Sequence, residues 1–154
     1  MKELAAKELG IGIIGTGFMG KAHAFAYRAA LAAFPDIPVP RLEMIADVNE
    51  ALASRAAHQY GFARSSADWR ALVSDPRIDV VSITTPNTLH KQMALAAIAA
   101  GKHVHCEKPL SPSLADSLTM VEAAEMAGIS ASPCTTASAR MVNGGKRLPS
   151  TKTI

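Results

Sequence analysis

Short apolar runs alternate with longer, alanine-rich segments of helical character along most of this 154-residue chain. Ile11–Gly15 is a continuous apolar run closed by glycine, and it predicts a buried strand. Phe18–Ala33 carries no internal proline and predicts a helix, broken by the proline-containing loop Phe34–Pro40. Leu42–Ala46 predicts a second strand and Asn49–Tyr60 a second helix, with Gly61 as its C-cap. Phe62 and Ala63 fit a very short strand, and Ser66–Val73 a small helix capped by Ser65 or Ser66. After a turn over Ser74–Asp79, Val80–Thr84 predicts a third clear strand. Leu89–Ala100 predicts a helix closed by Gly101, and His103–Cys106 another strand. Ser113–Ala127 predicts the last helix, capped by Ser111 or Ser113 and closed by Gly128.

Apolar strands alternating with helices indicate an α/β fold, a doubly wound parallel sheet covered on both faces. The chain has room for one such domain. The pattern covers residues 1–128; residues 129–154 are short of large apolar side chains, lack periodicity and are expected to be an irregular tail.

Apolar residues make up 49% of the chain, enough for a core, yet no run approaches the roughly 18 residues of a membrane span. The start, MKELAAKELG, carries acids and no apolar stretch of the kind a secretion signal needs. Two cysteines, Cys106 and Cys134, suggest no disulfide framework and fit a reducing, cytoplasmic setting. The net charge of +3 belongs to the tail: Arg140, Lys146, Arg147 and Lys152 all follow Glu125, the last acid. Without them 12 basic residues face 13 acidic ones, and the tail has no aromatic side chain to stack on bases. Neither a nucleic-acid nor a membrane partner is expected.

Gly15-Thr16-Gly17-Phe18-Met19-Gly20 lies between the first predicted strand and the first predicted helix, where a dinucleotide fingerprint belongs. Gly15 would permit the tight turn, Gly17 the close approach of a pyrophosphate, and Gly20 the packing of helix on strand. The helix N-terminus would offer N–H groups and a positive dipole end to the phosphates. Taken alone, the motif fits an ordinary glycine turn equally well. Asp47 follows the second strand, 27 residues beyond Gly20, and could accept hydrogen bonds from an adenosine ribose or cap the helix after it. The first arginine after it is Arg55, which favours NAD over NADP.

Thr84, Thr85, Pro86 and Asn87 end the third strand, where a doubly wound sheet forms its ligand crevice. Asn87 or Thr88 could instead cap the next helix, and His90 could simply pack. Glu107, Lys108 and Pro109 leave the last strand at the same edge. Lys108 could polarise or protonate a substrate oxygen during hydride transfer, or belong to a solvated Glu–Lys pair. His103, His105 and Cys106 lack a convergent partner at metal-ligand spacing, so no metal is expected.

Together, GIIGTGFMGKAHA, IADVN, ITTPNTLH and GKHVHCEKPL, in this order and spacing, resemble the Gfo/Idh/MocA family over roughly residues 9–128. These are NAD(P)-dependent oxidoreductases acting mainly on sugars, sugar derivatives and inositols. The resemblance implies a Rossmann domain in which Gly15, Gly17, Phe18, Met19 and Gly20 hold the pyrophosphate and Asp47 the adenosine ribose. It implies that Thr85, Pro86, Asn87 and His90 lie along the cofactor, Asn87 near the nicotinamide ribose. Glu107 and Lys108 would border the nicotinamide, with Lys108 the catalytic lysine.

Such proteins continue with a further strand, an N-Y-R or N-x-R motif and a large α/β domain. That domain carries the substrate pocket and often the oligomer interface. None of this is recognisable after Ile129, so a truncated or out-of-frame tail is expected, and with it an uncovered face through which the chain could self-associate. The function expected is an NAD-dependent dehydrogenase of sugar-like polyols. The alternative is a cofactor-binding fragment without turnover because the substrate domain is absent, and for this chain alone little or no activity is expected.

Overall fold

The computed structural model describes residues 8–133, and Cys134 and the basic residues of the tail lie outside that range. Six strands form one sheet: β1 (Glu8–Ile14), β2 (Val39–Ala46), β3 (Arg64–Ser66), β4 (Val80–Ile83), β5 (His103–Cys106) and β6 (Ala131–Pro133). Between them run α1 (Phe18–Ala33), α2 (Glu50–Tyr60), α3 (Trp69–Ser74), α4 (His90–Ala99) and α5 (Leu114–Met126). All strand pairs are parallel, in the order β3-β2-β1-β4-β5-β6. The chain therefore leaves β1 in one direction and resumes at β4 on its other side. A crevice opens at such a reversal, beyond the C-terminal ends of the strands.

The period-2 alternation of the strands sorts side chains to two cores. Ile14, Met44, Ala46, Val81, Ile83, Val104 and Cys106 pack toward α3, α4 and α5. Ile11, Ile13 and Ile45 pack with Ala24 of α1, Ala56, Ala57 and Tyr60 of α2, and Phe62. A strand buried on both faces has no polar side, which is why these segments read as unbroken apolar runs. Glu43 interrupts that rule. It sits where the β1–β2 register slips between Ile11 and Gly12, and its buried carboxylate is paired by Arg41 and Arg64.

Helices α1 and α2 and strand β5 fall at the expected places, and Gly61 closes α2 in the left-handed region at φ 82°. Several boundaries differ. β1 begins at Glu8 and β2 at Val39, because neighbouring backbone ladders extend both strands beyond their apolar cores. The short strand expected at Phe62–Ala63 forms at Arg64–Ser66. Phe62 is instead a core residue whose N–H closes α2 on Ala57 O. The small helix starts at Trp69, capped by Asp68; the Ser66 hydroxyl folds onto the Asp68 backbone and caps nothing.

Residues 130–133, expected to be irregular, join the sheet, and the rest of the expected tail lies outside the described residues. Val104 N–H donates to Ser130 O, and Ala131–Pro133 then pairs with β5 as an edge strand that apolar patterning does not reveal. At the far side of the molecule, before β4 and β5, Asp75 is buried against Arg64 and Arg77, and the Lys102 ammonium donates to the carbonyls of Asp75 and Ile78. No helix among the described residues is long and apolar enough to cross a membrane. On α5, Leu114, Leu118 and Val121 are exposed at helical spacing.

Candidate functional site

The turn Gly15–Gly17 is fastened from three strands. Gly15 N–H donates to Ala46 O of β2 at 2.8 Å, and the Thr84 hydroxyl donates to the carbonyls of Ile14 (2.9 Å) or Gly15 (3.1 Å). Gly15 has φ +104°, and a Cβ on Gly20 would stand 2.1 Å from Gly15 O, so α1 lies directly on the turn. Gly17 is the contrary case. Among the described residues a Cβ there would meet no atom within 4 Å, and Gly17 is the N-cap of α1 with no side chain capping it and no acid in the first turn. The helix thus starts with unclaimed N–H groups beside open space at the sheet reversal, the geometry an anion needs. Phe18 is 84% exposed at this end, and Met19 is half-buried.

Asp47 stands beside the turn, half-buried. Its Oδ2 accepts from Thr16 N–H (3.0 Å) and the Thr16 hydroxyl (2.5 Å), and its Oδ1 from Asn49 N–H (3.0 Å). Burial pushes this carboxyl up, but the Thr16 hydroxyl and the N–H groups of Asn49 and Thr16 outweigh it and hold it below the ordinary value. Asp47 is not the cap of α2; Asn49 is, accepting from Leu52 N–H.

Thr85, Pro86 and Asn87 follow β4 at the same edge. Pro86 is exposed, and Asn87–Leu89 forms a 3₁₀ turn leading into α4 without a side-chain cap, so neither Asn87 nor Thr88 caps it. His90 differs from the rest. It is buried, with Nε2 2.8 Å from Thr85 O and Nδ1 3.1 Å from Pro109 O. The ring ties the turn after β4 to the turn after β5 and keeps both nitrogens engaged. Lys108 projects into solvent, and its ammonium meets no partner among the described residues. Glu107 is turned inward: Oε1 lies 2.8 Å from His23 Nε2, and Oε2 accepts from Lys108 N–H at 3.1 Å. No group of three or more His, Cys, Asp or Glu set to hold a metal occurs among the described residues.

This sheet order, turn and acid coincide with a family match. The profile of an oxidoreductase family with an NAD-binding Rossmann fold, GFO_IDH_MocA, covers residues 9–133. The chain belongs to this family. It is similar to levoglucosan dehydrogenase of Pseudarthrobacter phenanthrenivorans, 48% identical over 118 residues, which span 76% of this chain and 30% of that enzyme. It is also similar to inositol 2-dehydrogenase of Gluconacetobacter diazotrophicus, 40% identical over 77% of this chain and 34% of that protein. Among solved structures, levoglucosan dehydrogenase in complex with NADH and levoglucosan superposes with a TM-score of 0.78 at 44% identity, covering 81% of this chain and 35% of that one. The chain spans about a third of the length of these relatives.

The sequence did not expose what stands behind the edge of this Gfo/Idh/MocA domain. His23 on α1 links Ser82 (Nδ1 to Oγ, 2.8 Å) with Glu107, the Tyr27 hydroxyl lies 3.4 Å from Ser82 Oγ, and the His105 ring stacks on His23 at 4.8 Å. Ser82, His23 and Glu107 have the connectivity of a hydrolytic triad, but Ser82 is wholly buried on a central strand, where no substrate reaches it. The set is a brace from α1 to the Lys108 backbone. Burial, and next the neighbouring His23, push the His105 ring below its ordinary value, against the raising effect of Glu107. The available signal was period-2: Ser82 and His105 both point to the α1 side of their strands, and His23 is one turn past Gly20.

Proposed function

We propose that this chain supplies the NAD-binding part of an oxidoreductase that exchanges hydride with a sugar, inositol or similar polyol, using NAD in preference to NADP. The observation that carries the reading is the open, uncapped start of α1 at Gly17, beside a turn locked by Gly15, Gly20 and Thr84. A dinucleotide pyrophosphate fits that place because its charge meets free N–H groups and no side chain obstructs it. In this reading Gly15, Gly17, Phe18, Met19 and Gly20 form the cradle, and Asp47 accepts from the adenosine ribose. Thr85, Pro86 and Asn87 line the path toward the nicotinamide. His90 and Glu107 hold those turns in place from behind, since their side chains are spent inside the protein. NAD, when bound, supplies the hydride acceptor. Lys108, exposed at the same edge, is the residue that takes or returns the proton of the substrate hydroxyl.

Calorimetric titration of the folded chain with NAD and NADH tests the cofactor part, with binding at one site expected. A folded chain that binds neither would overturn it. A panel of sugars, inositols and other polyols, followed by NADH absorbance, tests the substrate class. Turnover confined to substrates without a secondary alcohol would sink that part.

A further inference from the structure

Asp47 is held more tightly than acceptance of a ribose requires. A carboxylate offers about four acceptor positions. Thr16 takes two on Oδ2 and Asn49 N–H one on Oδ1, which leaves one, on Oδ1, among the described residues. The group cannot turn away from a ligand without breaking its two bonds to the middle residue of the glycine turn.

The surroundings are uniformly acidic. Asp47 N–H donates to Ser66 O of the neighbouring strand, so residues 46–50 and 65–69 adjoin, and their charged side chains are Asp47, Glu50 and Asp68. Two cations lie just outside. Arg64 lies 2.6 Å from the Asp75 carboxylate, and the Arg70 guanidinium sits over the Trp69 ring at 4.5 Å with Nη1 3.9 Å from Asp68 Oδ1, so neither pairs with Asp47.

Resting on the reading of Asp47 as the ribose acceptor, we propose that Thr16 is a specificity-determining residue: by pinning Asp47 it sets the site for a free ribose diol and against a 2′-phosphate. The one open position on Oδ1 accepts a hydroxyl, which has a proton to give. A phosphate brings negative charge toward a carboxylate that cannot swing aside and that no cation pairs among the described residues.

Thr16→Val keeps the shape and removes the hydroxyl; Thr16→Ser keeps the hydroxyl. Calorimetry on the full chain with NAD and with NADP compares them with the parent. Thr16→Val should weaken NAD binding about tenfold, the scale of one hydrogen bond to a charged group, and narrow the preference for NAD over NADP. Thr16→Ser should restore both to within about twofold. Carbon-13 titration of the Asp47 carboxyl needs no nucleotide, and should move upward in Thr16→Val but not in Thr16→Ser. Should Thr16→Val not fold, Thr16→Ala serves in its place. A parent chain that is folded yet binds neither nucleotide overturns the cofactor reading and this proposal together. A parent that binds NAD, with Thr16→Val matching it in affinity, preference and Asp47 titration, overturns this proposal alone.

Discussion

Two glycines three residues apart should respond in opposite ways to the same added methyl group. In Gly20→Ala the new Cβ would lie 2.1 Å from Gly15 O, more than 1 Å inside ordinary contact, and 3.2 Å from Thr84 Oγ1. The first is a backbone atom in a turn tied to two other strands, so it cannot yield. Backbone overpacking of this kind costs about 3 kcal/mol, and the better helix propensity of alanine returns about 1. A net loss of about 2 kcal/mol lowers a urea midpoint by about 1 M. In Gly17→Ala the Cβ meets nothing, and φ −65°, ψ −168° is open to any residue. The poorer N-cap and the lower entropy of the unfolded chain roughly cancel, leaving stability within about 0.5 kcal/mol. The methyl then occupies the space offered to a pyrophosphate, so NAD affinity should fall at least about tenfold, or about 1.4 kcal/mol. Urea unfolding and NAD calorimetry on the same two variants check both halves. Unfolding of Gly17→Ala at the Gly20→Ala midpoint, or parental NAD binding by Gly17→Ala, would refute the reasoning.

Three further outcomes are expected. Replacing His23 or Glu107 by leucine breaks a buried pair and should cost about 3 kcal/mol each. In urea unfolding the double variant should then cost at least about 1 kcal/mol less than the sum, and additivity would dissolve the brace. The Arg77 guanidinium first, and Arg64 with it, hold the buried Asp75 carboxyl well below its ordinary 3.8 against the effect of burial. Its contribution is therefore complete above about pH 4 and is lost as pH falls below that, because the unfolded chain takes up the proton first. Asp75→Asn should flatten this acid limb in unfolding midpoints measured against pH, and a limb of unchanged steepness would exclude Asp75 as its source. Lys108→Met should leave thermal unfolding within about 0.5 kcal/mol of the parent, since the side chain is exposed and unpartnered among the described residues. It should also abolish any polyol-dependent NADH formation.

The sequence by itself determined the alternation of strands and helices, and hence the parallel sheet, because strands buried on both faces must be apolar throughout. It also marked the glycine turn, Asp47 and the Glu107-Lys108-Pro109 edge, since backbone geometry and hydrogen-bonding chemistry restrict what can stand there. Tertiary structure decided what each polar side chain faces. Asp47 and Thr16 are 31 residues apart, and His23 and Glu107 are 84 apart. Only the order β2-β1-β4-β5 brings each pair within a hydrogen bond. The same packing turned His90 and Glu107 inward and left Lys108 outside, although all three read alike as polar residues in the segments that follow β4 and β5. Edge strands β3 and β6 escaped the apolar pattern for a related reason: they are fixed by backbone ladders to a neighbour, an interaction that leaves no mark on side-chain composition.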